Sequence, residues 1–169
     1  IRIRYPKIIT DYFTAWFPMR DYLNTFCREQ QTSYEDMREK VDLANLSDML
    51  LFTMVTSASD NSFKNTYYAA KVDTQNQYVM YQVPWDLDLT FGNQYSEMSF
   101  HSMFVPDYTV IYGETAILVL LENQPDEVGD YLMDKWERYR ESFLSTESIL
   151  NLFVSNRDYL LDTGAAIRE

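Results

Sequence analysis

A chain of 169 residues that is 46% hydrophobic and 16% aromatic is long enough for one domain with a real core, and too apolar to stay disordered. Its net charge of −12 argues against a nucleic-acid partner, and the single Cys27 excludes an internal disulfide framework or a cysteine-based zinc site. One histidine, His101, gives little support to Ser–His or Cys–His nucleophilic machinery, and no apolar run approaches the ~20 residues that span a bilayer.

The chain opens on Ile1 rather than Met, so the lack of a leader says nothing about compartment. With only 4 Gly and 5 Pro, helices are favoured over turn-rich β architecture. Ile1 to Tyr5 alternates as a short strand and stops at Pro6. Ile9, Tyr12, Phe13, Trp16, Leu23, Phe26 and Cys27 recur at helical spacing, with Pro18 either kinking this segment or opening a second helix. Residues 30–40 read as a polar connector holding one short helix. Asp42 or Asn45 can cap the next helix, Asn45 and Asp48 having capping-box spacing. That helix is apolar on most sides through Leu46, Met49, Leu50, Leu51 and Met54, so it belongs in the middle of the domain.

Turn formers from Ser57 to Ser62 end it. Thr66 to Val72 and Tyr78 to Val83 are strand-like, and the Asp73–Gln77 turn between them predicts an antiparallel hairpin ending before Pro84. Gly92 to Tyr112 is expected to be a long loop. Three helices then close the chain: Glu114 to Leu121, Asp126 to Phe143, and one capped by Ser145 with Ile149, Leu150, Leu152, Phe153, Leu160 and Leu161 inward. The fold class expected is mainly α with a small antiparallel β-hairpin, in one domain over 1–169.

The chemistry concentrates between Ser57 and Gly92. Asp60 and Asn65 stand as Asp-x-x-x-x-Asn at the end of an apolar helix, and the second strand delivers Asp86 and Asp88. A hairpin that returns to its origin brings these groups together. Metal-assisted phosphoryl transfer needs a carboxylate to accept a hydroxyl proton, oxygen ligands for Mg²⁺, and a frame that keeps both in line. Asp60 is the candidate base, and Asn65 and Asp86 are the candidate metal ligands. Lys64 is either a phosphate contact or a solvent-facing lysine, and Asp88 either a further ligand or a brace for its loop. No Lys or Arg occurs between Lys71 and Lys135, so an anion held near Asp86 requires a cation bridge. Taken singly, Asp60 and Asn65 also read as turn residues, Asp86 and Asp88 as loop acids or structural Ca²⁺ ligands, and Trp85 as core.

At these residues the chain resembles the CotH-type (spore coat protein H) kinases. The resemblance rests on Asp-Asn-Ser-Phe-Lys-Asn-Thr-Tyr-Tyr at 60–68 and Trp-Asp-Leu-Asp-Leu-Thr-Phe-Gly at 85–92, with Tyr5-Pro-Lys, Val41-Asp-Leu and the region of Trp136 alongside. It implies an atypical protein-kinase-like fold that uses ATP and Mg²⁺ or Mn²⁺ to phosphorylate Ser or Thr of proteins, often at a spore coat or cell surface. By position, Asp60 matches the catalytic acid and Asp86 the metal-binding one. No glycine-rich loop or upstream ATP-contacting base occurs, so the expectation is the helical C-lobe portion of a kinase domain, with the nucleotide-binding N-lobe missing. The alternative is a non-catalytic, pseudokinase-like module of a coat or surface assembly. A metal phosphohydrolase fits less well, because such two-metal sites commonly use several histidines.

Overall fold

Helices and one two-stranded antiparallel sheet make up the described residues, so the chain is mainly α with a small β-hairpin. The structure, a computed structural model, describes residues 12–26, 32–58, 61, 64–88, 90–91 and 116–165. The strand expected at 1–5 and the loop expected at 92–112 lie outside them. Two compact units, Ile1–Asp126 and Glu127–Glu169, divide the chain.

In the first unit, helix α1 (Tyr12–Thr25) runs through Pro18 as one helix, so Pro18 does not open a second one. Helix α2 (Tyr34–Glu39) is capped by Ser33, whose hydroxyl accepts from the Asp36 amide. Helix α3 (Leu43–Thr56) is capped by Asp42, not Asn45: Asp42 Oδ1 accepts from the Asn45 amide at 2.9 Å. Asn45 is spent elsewhere. Its side chain donates to the Gln82 carbonyl at 2.9 Å and accepts from the Gln82 amide at 2.7 Å, imitating a strand partner.

Strands β1 (Thr66–Val72) and β2 (Tyr78–Pro84) pair antiparallel with Thr66 opposite Pro84 and Val72 opposite Tyr78. Pairing thus reaches Pro84, one residue beyond expectation. Proline lacks a ladder donor, but here it occupies only the terminal rung. The turn is locked by Asp73, whose Oδ1 accepts from the amides of Gln75 and Gln77, both at 2.8 Å. On its other edge β2 meets residues 40–42: the Met80 amide donates to the Lys40 carbonyl at 2.8 Å.

The core forms where α3 meets β2 and helix α4 (Ala116–Asn123), and Leu46, Met49, Leu51, Met80, Ile117 and Leu120 are buried there. Full burial of each such side chain contributes about 1.5–3 kcal/mol. On α1, Tyr22 packs its ring against Phe26 at 5.0 Å and against Tyr68 of β1 at 5.7 Å. Buried Tyr78 donates its hydroxyl to Asp21 of α1 at 2.9 Å, and Lys40 approaches the same carboxylate at 3.3 Å.

Helix α5 (Pro125–Arg140), which belongs to the second unit from Glu127 onward, begins on a proline that needs no amide partner at that position. Lys135 is buried, its ammonium 5.7 Å from the ring centres of Tyr131 and Tyr139 one turn to either side. Helix α6 (Thr146–Asp162) is capped by Ser145, as expected. Its apolar positions depart from expectation: Leu150, Leu152, Phe153, Leu160 and Leu161 are exposed, and Ile149 is half-buried. A unit of roughly forty residues has too little chain to enclose an apolar face this wide. Among the described residues no helix is long and apolar enough to cross a membrane.

Candidate functional site

The segment that leaves α3 and the segment that leaves β2 are tied to each other. Helix α3 ends in a left-handed Ser57 (φ 54°), and the Ala58 amide closes back on the Thr53 carbonyl at 3.0 Å. Asn61 then donates its amide to Ala58 O at 3.0 Å, and its carbonyl accepts from the Thr66 hydroxyl at 2.8 Å. Below the last rung of the hairpin, the Trp85 amide donates to the Asn65 carbonyl at 2.8 Å. The hairpin therefore returns to its origin, with Asp86 following directly on the residue bonded to Asn65. Past Asp88, the Phe91 amide donates to the Thr56 carbonyl at 2.6 Å, anchoring the acidic segment to the end of α3.

The candidate residues stand as follows. Asn65 is half-buried and left-handed (φ 52°), while Asp86 is exposed and left-handed (φ 57°). Ser57 and Phe91 (φ 52°) are left-handed too, and each of these four non-glycine residues carries a backbone strain of about 1–3 kcal/mol that the surrounding bonds must hold. Lys64 and Asp88 are exposed. Asp60, the candidate base, lies outside the described residues.

Asn61 was read from sequence only as a turn former, and it is the organising side chain of this region. It is 4% exposed, and its Nδ2 donates to Asn65 O at 2.6 Å and to Trp85 O at 2.8 Å. A buried polar side chain needs such partners. The available signal was an amide beside Asp60 in a segment followed by an almost continuous hairpin. Trp85 also departs from expectation: it is 55% exposed, and its ring lies 5.3 Å from that of Tyr67 at a tilt of 50°. Strand β2 ends one residue earlier, so Trp85 sits on the rim of the hairpin and not in the core.

Asn65, Asp86 and Asp88 offer only oxygen donors, the set a hard divalent cation prefers. Among the described residues no three His, Cys, Asp or Glu side chains converge. One or two protein oxygens suit Mg²⁺, whose remaining ligands come from phosphates and water; a calcium cage needs more. Carboxylate and amide oxygens of this kind are compatible with a hard divalent cation.

A protein-family model described as CotH kinase protein matches residues 10–155. No curated protein and no solved structure gives a match. The matched span contains both acidic motifs and every element from α1 to α5.

Proposed function

The chain belongs to the CotH kinase family, and from that membership we propose that it serves ATP- and Mg²⁺-dependent transfer of phosphate to Ser or Thr of protein substrates, at a spore coat or cell surface. The observation that carries the reading is the bond from the Trp85 amide to the Asn65 carbonyl, which holds the two acidic motifs side by side.

Asp60 is assigned the substrate hydroxyl: its carboxylate orients that oxygen and takes the proton as the oxygen attacks the γ-phosphorus, the bond from that phosphorus to the β,γ-bridging oxygen breaks and ADP leaves. Asp86 and the Asn65 amide are assigned the Mg²⁺, with Asp88 as a further ligand or as a brace for the loop. Bound Mg²⁺ would supply charge neutralisation on the phosphate oxygens, since the segment that carries Asp86 has no Lys or Arg between Lys71 and Lys135. Lys64, exposed just before β1, is assigned a phosphate contact. In the left-handed backbone at Asn65 and Asp86, the held geometry exists before substrate arrives, so less ordering is left to the transition state.

Thermal unfolding with ATP, Mg²⁺, both together and Ca²⁺ alone tests the nucleotide–metal site. A rise in midpoint that requires ATP and Mg²⁺ together, and that disappears in Asp86→Ala, is expected. A rise with Ca²⁺ alone, or none with the pair, contradicts the reading and favours a non-catalytic module.

A further inference from the structure

Phosphoryl transfer as proposed uses Asp60, Asn65 and Asp86, and it gives Asn61 no part. Yet Asn61 is the side chain that joins the two loops carrying them. A carboxamide has two N–H donors on one nitrogen, and both here are directed at main-chain carbonyls. One carbonyl belongs to Asn65 at 2.6 Å; the other belongs to Trp85 at 2.8 Å, in the peptide unit that leads into Asp86. The Asn65 carbonyl takes a second bond from the Trp85 amide, so the three groups close a small ring of hydrogen bonds. Asn61 is itself fixed, with its own amide on Ala58 and its own carbonyl under the Thr66 hydroxyl.

One gripped carbonyl belongs to left-handed Asn65, and the other lies in the peptide unit that enters left-handed Asp86. Without the grip, each has a cheaper conformation to relax into, and the distance between the two candidate ligands is no longer set. Resting on the Mg²⁺ reading above, we infer that Asn61 is a positioning residue: its two N–H groups hold Asn65 and Asp86 at the spacing a divalent cation requires, and so set the cation affinity of the site. The requirement is specific to a neutral double donor of this length. Aspartate has the same shape, but its ionised oxygens would face two carbonyl oxygens and repel both.

The experiment is a Mn²⁺ titration of the full-length protein with ATP present, following free Mn²⁺ by electron paramagnetic resonance. It compares the unchanged protein with Asn61→Asp, Thr66→Val and Asp86→Ala, alongside thermal unfolding and amide exchange at Trp85. Asn61→Asp is expected to weaken Mn²⁺ binding at least about tenfold and to speed exchange at Trp85. The added negative charge works against that loss, so a loss cannot be put down to charge. Thr66→Val removes a bond to the Asn61 main chain and leaves the grip intact; it is expected to lower the unfolding midpoint while keeping Mn²⁺ affinity within about twofold. If Asn61→Asp does not fold, Asn61→Ser carries the comparison, keeping one donor and no charge. Mn²⁺ affinity unchanged in the Asn61 variant, or lost equally in Thr66→Val, overturns the inference. Unchanged affinity in Asp86→Ala overturns the metal assignment itself, and the inference with it; loss in Asp86→Ala with none at Asn61 overturns the inference alone.

Discussion

Tyr22 carries its hydroxyl into the core under Gln82, whose side-chain amide donates to it at 3.4 Å. Burial pushes the Tyr22 phenol above its ordinary value near 10, and the neighbouring Tyr68 adds to this while the Gln82 bond opposes it. Tyr68 is raised by burial too. Tyr78 is raised chiefly by burial, then by the Asp21 carboxylate it donates to. The sign follows from proton counting. Above pH ~10 the unfolded chain loses phenolic protons that the folded chain keeps, so stability is level below that pH and falls above it. Urea unfolding between pH 8 and pH 11 should show this decline, with a shallower slope in Tyr22→Phe. A flat profile to pH 11 would contradict the burial of these phenols. By contrast, the partly exposed Lys40–Asp21 pair should contribute about 1 kcal/mol or less, and less still in high salt.

Between elements, the attachment of α3 to β2 depends on one side chain. Asn45 satisfies both main-chain groups of Gln82, and Gln82 is buried. Replacing it by alanine leaves a donor and an acceptor without partners, a loss of about 2–3 kcal/mol. Asn45→Asp, whose second carboxylate oxygen would face the Gln82 carbonyl, should lose at least as much. Denaturant midpoints measure both, and equal stability of all three proteins would show that the bridge carries no load. The elements themselves were legible because their signals are local. Asp73 announces the hairpin turn, Asp42 and Ser145 stand where caps belong, and alternating apolar residues mark β2. The uses of Asn45 and Asn61 were not legible. Each depends on carbonyls 37 and 24 residues away that only tertiary pairing brings opposite. Periodicity failed at α6 for a related reason. An apolar stripe shows which face of a helix could be buried, not what covers it.

For the molecule as a whole, the charge pattern and the family point in one direction. Seven of the 14 basic residues lie in the first forty positions, and the stretch from Val72 to Asp134 has none. The segment that carries Asp86 therefore brings no cationic side chain of its own to an anion. The order of parts was readable in advance: helix, Asp60, Asn65, hairpin, Asp86. What was not readable was the hydrogen-bonded ring that makes Asn65 and Asp86 neighbours, because it joins main-chain groups that sequence pattern does not mark. Asp60 and Asp86 are the residues proposed to carry phosphoryl transfer. The most direct measurement is transfer of labelled γ-phosphate from ATP–Mg²⁺ by the full-length protein, both to itself and to casein as acceptor. It is run on the unchanged protein, Asp60→Ala and Asp86→Ala. Each substitution is expected to lower the rate at least about 100-fold without shifting the unfolding midpoint in the absence of ligand; transfer that survives both would contradict the account.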